Sequence, residues 1–147
     1  MKDVCELAAR LRDRDNRAAY EAARELAEIP GQSDAAYRYM DEFIDMMDSA
    51  HSYVRVRGMM LIAANAKWDS DCRIDGIIGR YLSHIADQKP STARRCISLL
   101  PEIARCKPAL KEVILYSLRQ AEVSQYPDTM RGLVLNDINR AIEAIGG

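Results

Sequence analysis

Four cysteines, Cys5, Cys72, Cys96 and Cys106, and two histidines, His51 and His84, are the side chains whose types most readily ligate a metal or attack an electrophile. Their spacing supports neither use. No two cysteines form a CxxC pair and no histidine stands nearby, whereas a structural zinc site needs clustered ligands. The cysteines therefore read as buried, reduced thiols that pack as small hydrophobes. Aspartates are plentiful, but each that can be placed has a capping, surface or helix-tying explanation. Asp41, Asp45 and Asp48 share one face of a helix, as a solvated acidic stripe does. The most basic stretch, Arg94, Arg95, Arg105, Lys107 and Lys111, is interrupted by Glu102 and spread over alternating faces. There is no glycine-rich phosphate loop, no nucleophile elbow and no HExxH. Read this way, the chain has no catalytic residues, no metal site and no cofactor.

Composition narrows the partners. Lys+Arg of 21 against Asp+Glu of 22 leaves a net charge of −1, which argues against a nucleic-acid partner because such domains carry a basic excess. With 147 residues, one domain spanning 1–147 with a sizeable core is expected. The start, MKDVCELAARLRDRD, lacks the apolar core of a signal peptide, and no apolar run approaches the roughly 20 residues of a membrane span. A cytoplasmic protein without a membrane segment is expected.

Only 7 glycines and 5 prolines against abundant alanine and straight-chain residues give a helix-rich balance. The apolar periodicity and the breaks divide the chain into eight helices and no strand. The first runs from about Lys2 to Arg12 with Val4, Leu7, Ala8 and Leu11 inward. The second covers about Arg17 to Ile29 on Ala19, Ala22, Ala23 and Leu26, and stops at Pro30-Gly31. The third is capped by Ser33 or Asp34, runs to about Asp48 and buries Met40, Phe43 and Met47. The fourth, about Ser52 to Lys67, holds an unbroken apolar or small run from Gly58 to Ala64, so it reads as the buried central helix. The fifth spans about Asp71 to Ala86. Pro90 opens the sixth, which contains Pro101, and Pro108 opens the seventh, to about Ala121, with Leu110, Val113, Ile114 and Leu118 inward. Asp128 caps the eighth, which ends before Gly146-Gly147.

The even-numbered helices align on Arg17, Arg55, Arg94 and Arg131, at separations of 38, 39 and 37 residues. A period of roughly 40 residues with two helices per unit is the signature of HEAT or armadillo repeats. Val54-Arg55 preceded by Asp48, and Arg94 preceded seven residues earlier by Asp87, resemble the HEAT pattern of an acid, then Val-Arg, then an Ala/Leu stripe. SYVRVRG, LIAANAKWD, KPSTARRCISLLPEIA and MRGLVLNDI are similar to a group of small bacterial HEAT-like proteins, some labelled SufBD for iron–sulfur assembly. The cysteine spacing lends that label no cluster chemistry. The resemblance implies an all-α fold, a right-handed α–α superhelix of about four hairpins. It also implies that Asp48 with Arg55, and Asp87 with Arg94, tie adjacent repeats.

Helical period then divides the fourth helix. Val54, Gly58, Leu61 and Asn65 fall on one side, with Asn65 and Trp68 expected as ties between repeats. Val56, Met60, Ala63 and Lys67 form the other. The corresponding positions are Arg95, Leu99, Glu102 and Cys106 in the third unit, and Gly132, Asn136, Asn139 and Glu143 in the fourth. The polar content of the last set suggests exposure, which places Val56 and Met60 on an apolar patch in the groove. A non-enzymatic scaffold is expected, binding a protein through Val56, Arg57, Met60, Lys67, Arg95, Leu99 and Glu102. The alternative is a nucleic-acid-binding or DNA-repair-related HEAT-like protein, resting on the segment Arg94 to Lys111 and on Trp68-Asp69.

Overall fold

The computed structural model describes residues 3–146. Every regular element among the described residues is helical: α1 (Val4–Ala9), α2 (Asn16–Glu28), α3 (Met40–Met47), α4 (Ser52–Ala64), α5 (Arg73–Leu82), α6 (Pro90–Cys106), α7 (Lys111–Arg119) and α8 (Asp128–Ile145). The expected start of the first helix at Lys2, and Gly147, lie outside the described residues. None of the described helices is long and apolar enough to cross a membrane. The chain divides into two compact units, Met1–Ile74 and Asp75–Gly147.

In the first unit α1 packs on α2, α2 on α4, and α3 on α4. Asp15 caps α2 by accepting a hydrogen bond from the Arg17 amide at 3.0 Å, and a 3-10 turn at Ile29–Gly31 containing Pro30 ends it. Ala19, Ala22, Ala23 and Leu26 are all buried. Small residues on this stripe let neighbouring helices come close. The third helix begins later than its sequence suggests, at Met40, after a 3-10 turn at Tyr37–Tyr39. The Tyr37 hydroxyl donates to the carboxylates of Asp69 and Asp71, which holds this segment to the chain beyond α4.

Gly58 sets how α3 and α4 meet. A Cβ there would lie 2.7 Å from the Met47 amide nitrogen, 2.7 Å from the Phe43 carbonyl oxygen and 2.9 Å from the Met46 Cβ. Only a hydrogen fits. Residues Arg57 through Ala63 are buried all round α4. The helix stops at Ala64, short of Lys67, because Asn65 turns its amide nitrogen back to the Leu61 carbonyl at 2.9 Å. Asparagine competes in this way for backbone groups and favours helix ends. A 3-10 turn, Ala66–Trp68, follows.

In the second unit α6 packs against α8 and α7, and α7 against α8. Pro90 opens α6, and Pro101 lies within it without ending it. Ala93, Ile97, Leu100 and Ile103 of α6 and Val134, Ile138 and Ala141 of α8 are buried. In α7 the buried residues are Ile114, Leu115 and Leu118. Val113, expected inward, is 41% exposed. The buried stripe is centred between Ile114 and Leu115, and a helix turns about 100° per residue, which carries Val113 to the outer face.

Tyr126 locks the turn that leads into α6. Its hydroxyl donates to the Asp87 carbonyl at 2.5 Å and only 2% of the residue is exposed. Burial, then the nearby charge of Asp87, pushes its pKa up to about 12. A raised pKa gives stability that is complete below the unfolded value of about 10 and is lost as pH rises through about 12. Tyr126→Phe should lower stability at neutral pH by about 1 kcal/mol, the worth of one hydrogen bond. It should also flatten the fall in stability between about pH 10 and pH 12. Urea denaturation across that range checks both, and an unchanged pH slope would contradict the assignment.

Candidate functional site

The apolar patch expected on α4 is not exposed. Met60 is 7% exposed and Arg57 2%, while Val56 is half-buried. The aligned α8 residues Gly132, Asn136, Asn139 and Glu143 are all exposed. The alignment therefore carried an exposure from α8 to α4 that does not transfer. A helix with no polar stripe has no side to leave in water, and α2 and α3 both pack on α4. Of the other surface residues, Lys67 is exposed, and Arg95, Leu99 and Glu102 on α6 are half-buried. Glu102 pairs with Arg105 one turn on, whose Nε lies 3.2 Å from Oε2.

The expected ties take specific partners. Arg55, 8% exposed, donates from Nη1 to the carbonyls of Ser49 and Ala50 at 3.1 and 3.2 Å, closing the α3–α4 connection. Asp48 is the exposed residue that ends α3. The acid facing Arg94 is Asp137 of α8, at 2.6 Å from Nε and 3.4 Å from Nη2. Asp87, expected in that role, instead accepts from the Lys89 amide at 2.9 Å and meets His84 Nδ1 at 2.6 Å. It organises the turn that leads into α6. Trp68, 36% exposed, donates its indole N–H to the Pro30 carbonyl at 2.9 Å and ties the end of α4 to the end of α2. Asn65 is fully buried and makes its bond within its own helix, leaving Oδ1 without a partner.

The basic segment is largely neutralised, since Arg94 pairs with Asp137, Arg105 with Glu102 and Lys107 with Asp75. Arg94 and Arg95 line a cavity of about 300 Å³ with Ser91, Ser98, Met130 and Asp137. The cysteines are not uniformly buried. Cys96 is, with its thiol pushed up by burial, but Cys5 and Cys72 are exposed and Cys106 is half-buried. Among the described residues no three His, Cys, Asp or Glu side chains gather as metal ligands would.

Two features of the first unit were not foreseen. One is the network around Tyr37, Asp69, Asp71, Arg73 and Asp41. Arg73 reaches Asp71 at 2.9 Å and Asp41 at 3.1 Å, and its guanidinium lies over the Tyr37 ring at 5.4 Å. Burial, then the two carboxylates, raises the Tyr37 pKa well above its usual value, so the hydroxyl stays a donor. The other is a cavity of about 410 Å³ lined by Arg12, Asp13, Arg14, Asn16, Ser49, His51, Tyr53, Val54 and Arg57. Arg57 makes no hydrogen bond or ion pair with the described residues, its buried Nε has no partner, and burial pulls its pKa below the usual arginine value. The signal for this site was a second arginine in SYVRVRGMML, placed directly before the apolar or small run from Gly58 to Ala64. No family model, no curated protein and no solved structure matches the chain.

Proposed function

We propose that the chain is a non-enzymatic interaction module of HEAT-like helix pairs that binds a protein partner. The observation that carries this reading lies in the second unit. Tyr116 and Val113 of α7 are 65% and 41% exposed, and Leu133 and Leu135 of α8 are 42% and 44% exposed. Val113 and Tyr116, three residues apart, share one helix face. Exposed apolar groups with an aromatic among them are the kind of surface that protein partners cover. The spacing of Arg17, Arg55, Arg94 and Arg131 supports the solenoid of about four hairpins, and a cytoplasmic setting accompanies it. Pairing of Arg94, Arg105 and Lys107 with acids weighs against a phosphate-tracking surface.

The reading is tested with Val113→Glu combined with Tyr116→Glu, the two exposed side chains that share one face of α7. Exposed substitutions shift stability by about 0.5 kcal/mol or less each, so the fold should survive by circular dichroism. In quantitative affinity purification from the native cell, the proteins recovered with the wild type should be lost with the double variant. Recovery of the same set in the same amounts would remove this surface from consideration.

A further inference from the structure

Arg57 presents a physical problem that the partner-binding reading does not use. A buried arginine, 2% exposed, with no counterion among the described residues pays the desolvation penalty without the Coulombic return. Buried arginines are ordinarily paired. This one reaches the wall of the 410 Å³ cavity beside the start of α4. That helix start carries no side-chain cap, since His51 at the N-cap position makes no such bond. The His51 carbonyl takes the Val54 amide at 3.0 Å, which leaves the Ser52 and Tyr53 amides, with the positive end of the helix dipole, at this end of α4.

The charge of the lining agrees with this. Arg12, Arg14 and Arg57 stand against a single carboxylate, Asp13, which already accepts from the Asp15 amide at 2.9 Å. Arg12 is shared with Asp45 at 2.7 Å, but that pair is exposed and weak in water. Arg14 is exposed at the rim, and so is Tyr53, at 65%. A helix N-terminus with an adjoining arginine fork is suited to an oxyanion with several acceptor oxygens. The cavity is larger than a bare phosphate needs and lies in the range of small-molecule sites.

We propose that this cavity binds a phosphate monoester, with the phosphate against Arg57 and the N-terminus of α4, Arg14 closing over it, and the organic remainder lying along the Tyr53 ring. Arg57 is then the counterion-seeking group of a ligand site, and its cost to the unliganded fold is offset when the anion enters. The site is independent of the exposed α7 and α8 side chains.

The test is a two-dimensional amide NMR titration of the full chain, at constant ionic strength, with inorganic phosphate and with phenyl phosphate. Saturable shifts confined to residues 12–16 and 49–57 are expected for both, with phenyl phosphate several-fold tighter through Tyr53. Arg57→Met keeps the volume and removes the charge. It should weaken both by at least about tenfold, the worth of one charge-assisted contact. It should also leave the unliganded protein as stable as the wild type or more so, because it removes an unpaired buried charge. Arg14→Ala, at an exposed position, should weaken binding with no change in stability. Unsaturable shifts scattered over the basic surface, or unchanged affinity in Arg57→Met, would overturn the site. Binding of inorganic phosphate with none of phenyl phosphate would overturn the monoester assignment. Loss of stability in Arg57→Met without loss of binding would make Arg57 a structural residue and overturn its role.

Discussion

Replacing Gly58 by alanine should destabilise the protein by about 2 kcal/mol or more, although alanine is the better helix former by about 1 kcal/mol. The reason is steric and local. The added Cβ would sit 2.7 Å from two backbone atoms of α3, the Met47 nitrogen and the Phe43 oxygen. Backbone cannot rotate aside as a side-chain tip can, so the helices must part by roughly 0.7 Å to reach ordinary contact, and a core packed to crystal density loses contacts along the seam. Two other glycines make the control. Gly76 and Gly79 of α5 have nothing within 4 Å of a built Cβ. Gly76→Ala and Gly79→Ala should each stabilise by about 0.5–1 kcal/mol through chain entropy alone. Trp68 is the only tryptophan and belongs to the first unit, so its fluorescence in urea follows the unit that Gly58 holds together, while circular dichroism follows the controls in the second unit. A Gly58→Ala midpoint at or above that of the wild type would mean that α3 and α4 are not this close.

Periodicity made the helices legible where each had a dry side and a wet side. The stripe of Ala19, Ala22, Ala23 and Leu26 is buried as its spacing predicts, and so is that of Ala93, Ile97, Leu100 and Ile103. Proline and aspartate set boundaries well, with α6 starting at Pro90 and α8 at Asp128. Boundaries failed where side chains compete with the helix for backbone groups or are held from outside it. Asn65 ends α4 early by bonding the Leu61 carbonyl, and Tyr37, bonded to Asp69 and Asp71, precedes α3 in a tighter turn. The first is a local competition that apolar periodicity does not register, and the second has partners 32 and 34 residues away in sequence.

The binding surface was the least legible part. Within α4 the pattern gives no polar stripe, so assigning Val56 and Met60 to the outside leaned on the polar residues of α8. Burial depends on what packs against a helix, which an alignment of repeats does not carry. Arg57 was placed on the right helix but with the wrong surroundings. On the helical wheel it lies between Met60 and Leu61, both of which are buried, and a cation there is a question about counterions rather than about a partner's surface. The cavity that answers it takes Arg12 and Arg14 from the α1–α2 connection and Asn16 from the start of α2, some forty residues away in sequence.

Asp69→Ala should cost about 2–4 kcal/mol, because one carboxylate satisfies three groups at once. Asp69, only 5% exposed, accepts from the Arg73 amide at 3.0 Å and the Ile74 amide at 2.9 Å. Those are orphan donors at the start of α5, and Ile74 is itself fully buried. The third donor is the Tyr37 hydroxyl. Water cannot readily replace the carboxylate at a site this enclosed, so alanine leaves the donors unpaired as well as removing the cap. Cys72, with φ of 57°, sits in the same turn in a left-handed conformation that side-chain-bearing residues disfavour, and Asp69 is among the contacts that hold it there. Asp69→Asn keeps one acceptor oxygen and should fall between alanine and the wild type. Tyr37→Phe removes a single donor and should cost about 1 kcal/mol. Asp45 supplies the scale, being an aspartate 74% exposed and paired with Arg12 at 2.7 Å, whose replacement by alanine should cost about 0.5 kcal/mol or less. Urea midpoints followed by Trp68 fluorescence order the four variants. If Asp69→Ala lay no lower than Asp45→Ala, the turn after α4 would be held by something other than this carboxylate. If it lies well below, the short segment Trp68-Asp69 is the clasp of the first unit, with the indole on Pro30 and the carboxylate on the start of α5.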